Sequence, residues 1–167
     1  MLRVTQAIKL CGLIDAAWSD QYAMDRGTAI HEATALDDKG DLDESTVDPA
    51  VKPYLDGWRL FRREMEPQFL TIEEKVRNEP MGYEGTLDRR IILASRECIV
   101  DLKTGIPADW HSLQLALYAM CFDRPLARFG IYVSDDGKYK FIEYKDRKDY
   151  DVAKSVLTVA HWKVRNA

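Results

Sequence analysis

The apolar pattern of this chain changes period between Met65 and Leu70, and that change constrains its fold more than any other feature. Before it the spacing is helical. A short helix is predicted from Thr5 to about Cys11, stopped by Gly12. A second opens at Ser19 or Asp20 and runs to about Asp38, with Tyr22, Ala29, Ala33 and Leu36 on one apolar face and Gly40 as its stop. A third begins near Asp48-Pro49, with proline in its first turn, and carries Tyr54, Leu55, Trp58, Phe61 and Met65. After the change the pattern is extended: Leu70 to Val76, then Tyr83 to Ile92 beyond the turn Glu79-Pro80-Met81-Gly82, then Glu97 to Lys103. A helix follows from about Asp109 to Cys121. Arg128 to Val133 and Lys138 to Tyr144 flank Ser134-Asp135-Asp136-Gly137 as a hairpin, and Asp149 to Val164 is helical again. This order predicts an α/β fold, a mixed central β-sheet flanked by helices after a helical N-terminal portion. With 167 residues, no repeat and no linker, a single domain spanning 1–167 is expected.

Composition excludes several classes. Hydrophobic residues at 46% and charged residues at 31% are an ordinary globular mixture. Runs such as Ile91-Ile92-Leu93-Ala94 are too short to span a bilayer, and Met1 to Thr5 lacks the pattern of a secretory signal, so no membrane partner and a cytoplasmic setting are expected. Cys11, Cys98 and Cys121 are odd in number and contain no CxxC pair, which argues against a disulfide framework or a cysteine zinc site. The net charge of -4 gives no support to non-specific nucleic-acid binding, but it is uneven. Acids crowd Asp37 to Glu44, and bases gather at Arg62-Arg63, Arg89-Arg90 and Lys145 to Lys148.

Four segments carry chemistry. On the strand Glu97 to Lys103, alternation puts Cys98, Val100 and Leu102 in a buried row and projects Asp101 and Lys103 together from the other side. A carboxylate and an ammonium so placed can hold a metal and address a water, although an isolated D-x-K is more often an ion pair. Thirteen residues before Asp101, Tyr83-Glu84-Gly85-Thr86-Leu87-Asp88 ends in a second acid, and Gly85 suggests a close backbone approach or a bend. If the strands are neighbours, Asp88 and Asp101 repel unless a cation neutralises them, and hard oxygen donors suit Mg²⁺ or Mn²⁺ better than zinc. The alternative pairs Asp88 with Arg89 or Arg90 on a surface hairpin. On the second helix Gly27 lies one turn before His31; a helical glycine costs about 1 kcal/mol, so room beside His31 is the expected return. On the fourth helix His111, Gln114 and Tyr118 form a polar stripe, fit either to bind phosphates or simply to face solvent.

Taken in order, Arg26-Gly27 with His31, Glu73, Gly85 to Asp88, Val100 to Gly105, and Gln114 with Tyr118 resemble the PD-(D/E)XK nuclease superfamily, in its RecB-like branch. The stand-alone form, with Val4-Thr5 and the step Gly12-Leu13-Ile14-Asp15, is similar to nucleases encoded by phages. The resemblance implies a restriction-endonuclease-like fold, with His31, Asp88 and Asp101 as ligands of one or two Mg²⁺ or Mn²⁺ ions and the Leu102 carbonyl as a fourth. Lys103 would orient or deprotonate the attacking water. Glu73 would be an additional acid, although period-2 reasoning does not separate it from Glu74. Gln114 and Tyr118 would support the site or touch DNA, and Arg26 joins them as a candidate substrate contact. Asp101 stands where many relatives carry Glu. Three scattered cysteines do not reproduce the four that hold an iron–sulfur cluster in some relatives, so no cluster is expected. The implied activity is hydrolysis of DNA phosphodiester bonds, exonucleolytic rather than endonucleolytic, in phage recombination, repair or processing. A helicase or recombination partner would be a separate protein. The alternatives are a catalytically idle DNA-binding module and a protein-interaction module on the same fold. His31, His111 and His161 show no nucleophile-elbow or triad spacing.

Overall fold

A computed structural model describes residues 1–14 and 21–167. Asp15, and the start of the second helix at Ser19 or Asp20, lie outside the described residues. Among these, six strands form one mixed sheet. β2 (Gln68–Asn78) runs antiparallel along one edge of β3 (Tyr83–Leu93). The other edge of β3 is shared. β1 (Leu2–Arg3) pairs in parallel with Tyr83 and Glu84, while β4 (Arg96–Thr104) pairs antiparallel from Arg89–Val100 to Leu93–Arg96. β5 (Ala127–Val133) lies parallel to β4, and β6 (Tyr139–Glu143) returns antiparallel through the turn at Ser134 to Gly137. β3 and β4 therefore part company at Asp88 and Asp101, leaving residues 85–88 of β3 without a strand on that edge.

Helices cover both faces. α1 (Val4–Leu10), α4 (Trp110–Ala119) and α5 (Lys148–Arg165) close one core around Ile8, Leu87, Ile99, Leu115 and Leu157. α2 (Gln21–Lys39) and α3 (Lys52–Met65) close the other around Ile30, Trp58, Phe61, Val100, Leu102 and Ile131. The chain has the mixed sheet flanked by helices that its element order predicts, an α/β architecture of the restriction-endonuclease-like kind that the resemblance implies. Among the described residues, no helix is long and apolar enough to cross a membrane.

Three details differ from the sequence reading. α3 begins at Lys52, so Pro53 rather than Pro49 occupies its first turn. Asp48 instead accepts the Ala50 and Val51 amides in a tight turn, the former through its side chain. On α2, Tyr22 is 65% exposed whereas Ile30, Ala33, Thr34 and Ala35 are buried, because only the C-terminal half of the helix lies on the sheet. Finally, both faces of β4 are covered. Val100 and Leu102 enter the α2–α3 core and Ile99 enters the other, so Asp101, at 3% exposure, projects into a packed interior.

Candidate metal and nuclease centre

The centre is built where β3 and β4 separate. On β3, Leu87 belongs to the α1–α4–α5 core, yet Arg89 reaches Asp38 and Thr34 of α2. Alternation therefore slips at Asp88, which turns toward His31 of α2 at 3.4 Å. The facing strand makes the matching adjustment: Glu73, between the pairs Ile72–Arg89 and Glu74–Leu87, has φ 54°, a left-handed conformation that a non-glycine residue adopts at a cost of about 1–3 kcal/mol. The slip brings Glu73 beside Asp88. Glu74 is turned away to Arg90 and Thr71.

His31, Glu73 and Asp88 each offer a ligand atom, all within 4.8 Å of one another. Next to them lies a second group. Leu102 donates its amide to Asp88 Oδ2 at 2.7 Å, closing the gap that the diverging strands leave. Lys103 Nζ donates to Gln114 Oε1 at 2.8 Å, stands 2.7 Å from Asp101 Oδ2, and lies 5.1 Å from the centre of the Trp110 ring. The Lys103–Asp101 contact is an ion pair without hydrogen-bond alignment. Among the described residues, Asp101 Oδ2 is buried with no hydrogen-bond partner. Asp101 thus stands outside the His31–Glu73–Asp88 group, turned toward Lys103.

The charges are strongly coupled. The Asp88 carboxylate raises the His31 imidazole to about 9 against the opposing effect of burial. Burial opposes ionisation of Asp88 itself, but His31, Lys103 and the Leu102 amide together hold it below the usual carboxylate range. Burial pushes Asp101 up, with the Asp88 charge adding to it and Lys103 opposing. Burial, then the charge of Asp88, also raises Glu73. The surroundings thus resist ionisation of Glu73 and Asp101 while Asp88 keeps its charge.

The glycines have different roles. A Cβ on Gly85 would lie 2.7 Å from Tyr118 Cε1, so the tyrosine ring is seated on bare backbone. A Cβ on Gly27 would meet only Thr104 Oγ1, at 3.9 Å. Nothing in the described chain needs Gly27 to be small, and open space remains beside that turn of α2.

Gln114 and Tyr118 are 6% and 5% exposed, so this stripe does not face solvent. It braces Lys103 and β3. Arg26 is half-buried, its guanidinium over the rings of Tyr22 and Tyr54, and its contacts among the described residues do not join it to the centre. The Leu102 side chain is in the core, so only its backbone borders the centre. Neither Arg89 nor Arg90 pairs with the Asp88 carboxylate. Arg89 binds Asp38 and Glu73, and Arg90 binds Glu74 and Glu97.

His111, on the same stripe, accepts the Ala108 amide at Nδ1 (3.2 Å), and the Tyr132 hydroxyl lies 2.8 Å from that nitrogen. Burial, then the charge of Lys103, pulls its imidazole down to about 4. Such a group is neutral in the folded chain at a pH where the unfolded chain, with its ordinary value, already binds a proton. Stability is therefore expected to fall as pH drops from about 6.5 through 4, by at most about 3 kcal/mol from this residue. Urea unfolding at neutral pH and near pH 4.5 should show a smaller loss in His111→Asn than in the parent. Equal losses would assign the acid sensitivity elsewhere.

No family model matches the chain, and no curated protein sequence matches it. Solved structures do. The alkaline exonuclease LHK-Exo from Laribacter hongkongensis is similar with a TM-score of 0.50 and 10% identity, over 99% of this chain and 88% of that one. LHK-Exo in complex with dAMP gives 0.49 at 9% identity, over 99% and 88%. The protein SSO0001 gives 0.44 at 12% identity, over 95% of this chain and 82% of that one. The likeness to LHK-Exo shows the fold that the sheet topology defines.

Proposed function

We propose that this chain is a divalent-metal-dependent nuclease that hydrolyses DNA phosphodiester bonds. The observation that carries the reading is the juxtaposition at the parting strands: an imidazole and two carboxylates within ligand distance, bonded through the Leu102 amide to a strand bearing a buried acid and a lysine. The donors fit a divalent ion. Two carboxylates are hard ligands suited to Mg²⁺ or Mn²⁺, the imidazole favours Mn²⁺ of the two, and Asp101 Oδ2, paired with Lys103, is a further buried oxygen. His31, Asp88 and Glu73 would hold an ion, with Asp101 and the Leu102 carbonyl as additional donors for one or two ions.

A bound ion would supply Lewis acidity toward a phosphoryl oxygen and make a water more acidic. The chain's residues supply the rest. Lys103, fixed by Gln114, orients the attacking water as an ammonium and offsets charge that develops on the phosphoryl group. Gln114 and Tyr118 hold Lys103 and β3 in place. Exonucleolytic cleavage is the reading we favour, as part of phage DNA processing.

Asp88→Asn keeps an acceptor for the Leu102 amide but removes the ligand charge. It is expected to weaken Mn²⁺ binding by more than about tenfold, a loss of at least about 1.4 kcal/mol, and to lower correspondingly the thermal stabilisation that saturating Mn²⁺ gives the parent. Unchanged stabilisation would overturn the metal assignment. End-labelled linear and circular DNA, each single- and double-stranded, tests the reaction with Mn²⁺. Digestion of linear substrates is expected, and loss of circular DNA would sink the exonuclease form.

A further inference from the structure

Beyond the metal group, the same face of the β2–β3 ribbon carries a row of cations. Lys75 lies opposite Thr86, and Arg77 opposite Glu84. Alternate strand residues share a face, so Glu73, Lys75 and Arg77 form one line, with steps of about 7 Å between them. Arg3 of β1 lies opposite Glu84 from the other side. These side chains rim a cleft of about 790 Å³ that also includes Gly85, Thr86 and Tyr118. At its inner end, Gln114 Nε2 lies 3.5 Å from the Thr5 hydroxyl, and Gln114 Oε1 accepts Lys103. Thr5, which lines the cleft, is thus joined through Gln114 to the lysine of the centre.

The cations differ in how they are used. Arg77 is paired with Glu79 and Glu84. Arg3 and Lys75 form no ion pair among the described residues, and both are exposed. Unneutralised cations on the rim of a cleft, one of them two places along β2 from the metal-ligand candidate Glu73, point to a polyanion. The volume is that of a ligand cleft rather than of a surface that cradles a duplex. The chain as a whole is acidic, with a net charge of -4, so attraction of a polynucleotide must come from such local groupings.

We infer that this cleft carries one polynucleotide strand on one side of the scissile phosphate, with Lys75 and Arg3 each against a phosphate. The inference rests on the nuclease reading and adds to it a single-strand track and its direction across the sheet. The test is fluorescence anisotropy of a short labelled oligonucleotide, single-stranded and duplex, at several salt concentrations with Ca²⁺ replacing Mn²⁺ to suppress cleavage. Lys75→Ala and Arg3→Ala are each expected to weaken single-strand binding about fivefold and to lower its salt slope by about 0.7. Glu84→Gln, which removes the acid facing both Arg3 and Arg77, is expected to tighten binding about twofold. Mn²⁺ affinity should be unchanged in all three variants. A parent that binds and cleaves DNA while these variants bind single strands as it does overturns the cleft alone. So does a loss confined to duplex. A parent that neither binds nor cleaves overturns the nuclease reading and the cleft together.

Discussion

Replacing Lys103 by alanine is expected to lower metal-dependent cleavage by about 10³-fold, within the range reported for removing one acid–base or charge-stabilising group. Folding should survive, because Lys103 is only partly buried, its ammonium lies over the Trp110 ring, and Asp101, whose carboxyl burial already pushes up, can take a proton when its partner is lost. Mn²⁺ binding should also survive, since His31, Glu73 and Asp88 form their group without it. The separation of those effects is what makes the variant informative. Single-turnover cleavage, Mn²⁺-dependent thermal shift and circular dichroism on the same preparation read the three quantities independently. Loss of metal binding in step with cleavage would make Lys103 a structural partner of Asp101 and nothing more. Ordinary Mn²⁺-dependent activity would remove it from the mechanism altogether.

The long elements were legible in the sequence because each keeps one period over enough residues to bury a face. β1 was not, since two residues have no period, and it exists only because Leu2 and Arg3 meet Tyr83 and Glu84. The site was legible as a set of residue types but not as a geometry. Glu73 and Glu74 are indistinguishable by alternation. What separates them is a left-handed backbone at Glu73 and a slip at Asp88, both set by pairing between strands. Gly85 did mark a close approach, although the approaching group is Tyr118, which the sequence had placed on a stripe open to solvent or substrate. Asp101 was read as projecting with Lys103, beside Asp88. It does stand against Lys103, but in a covered interior, because both faces of β4 are packed, and outside the group that Asp88 forms with His31 and Glu73. Arg89 was the least legible residue. It read as half of a basic pair, and its principal partner, Asp38, lies 51 residues away.

Arg89→Met is expected to cause the largest loss of stability of any single change considered, about 3–5 kcal/mol. The guanidinium is fully buried. It donates to Asp38 Oδ2 at 2.6 Å, Glu73 Oε1 at 3.1 Å, the Asp88 carbonyl at 2.8 Å and Thr34 Oγ1 at 3.2 Å, and lies 5.3 Å from the Trp58 ring centre. It thereby ties α2, which carries His31, to the strands that carry Glu73 and Asp88. Its chief partner would keep only Trp58 Nε1, at 2.9 Å, and Arg62, at 3.2 Å, both on Oδ1: the Asp38 side chain is fully buried, and burial already raises its pKa against the attraction of Arg89. Methionine would fill much of the space and leave Asp38 Oδ2 without its donor. The cost should therefore reside in Asp38 more than in the lost hydrogen bonds. Combining Arg89→Met with Asp38→Asn should recover about 1–3 kcal/mol of it, a coupling that urea unfolding of the two single variants and the double variant would measure. Additive losses would show that the pair does not act as a unit. A recovered fold that still binds Mn²⁺ weakly would show that Arg89 also positions Glu73 and His31, since stability would then be restored without the geometry of the centre.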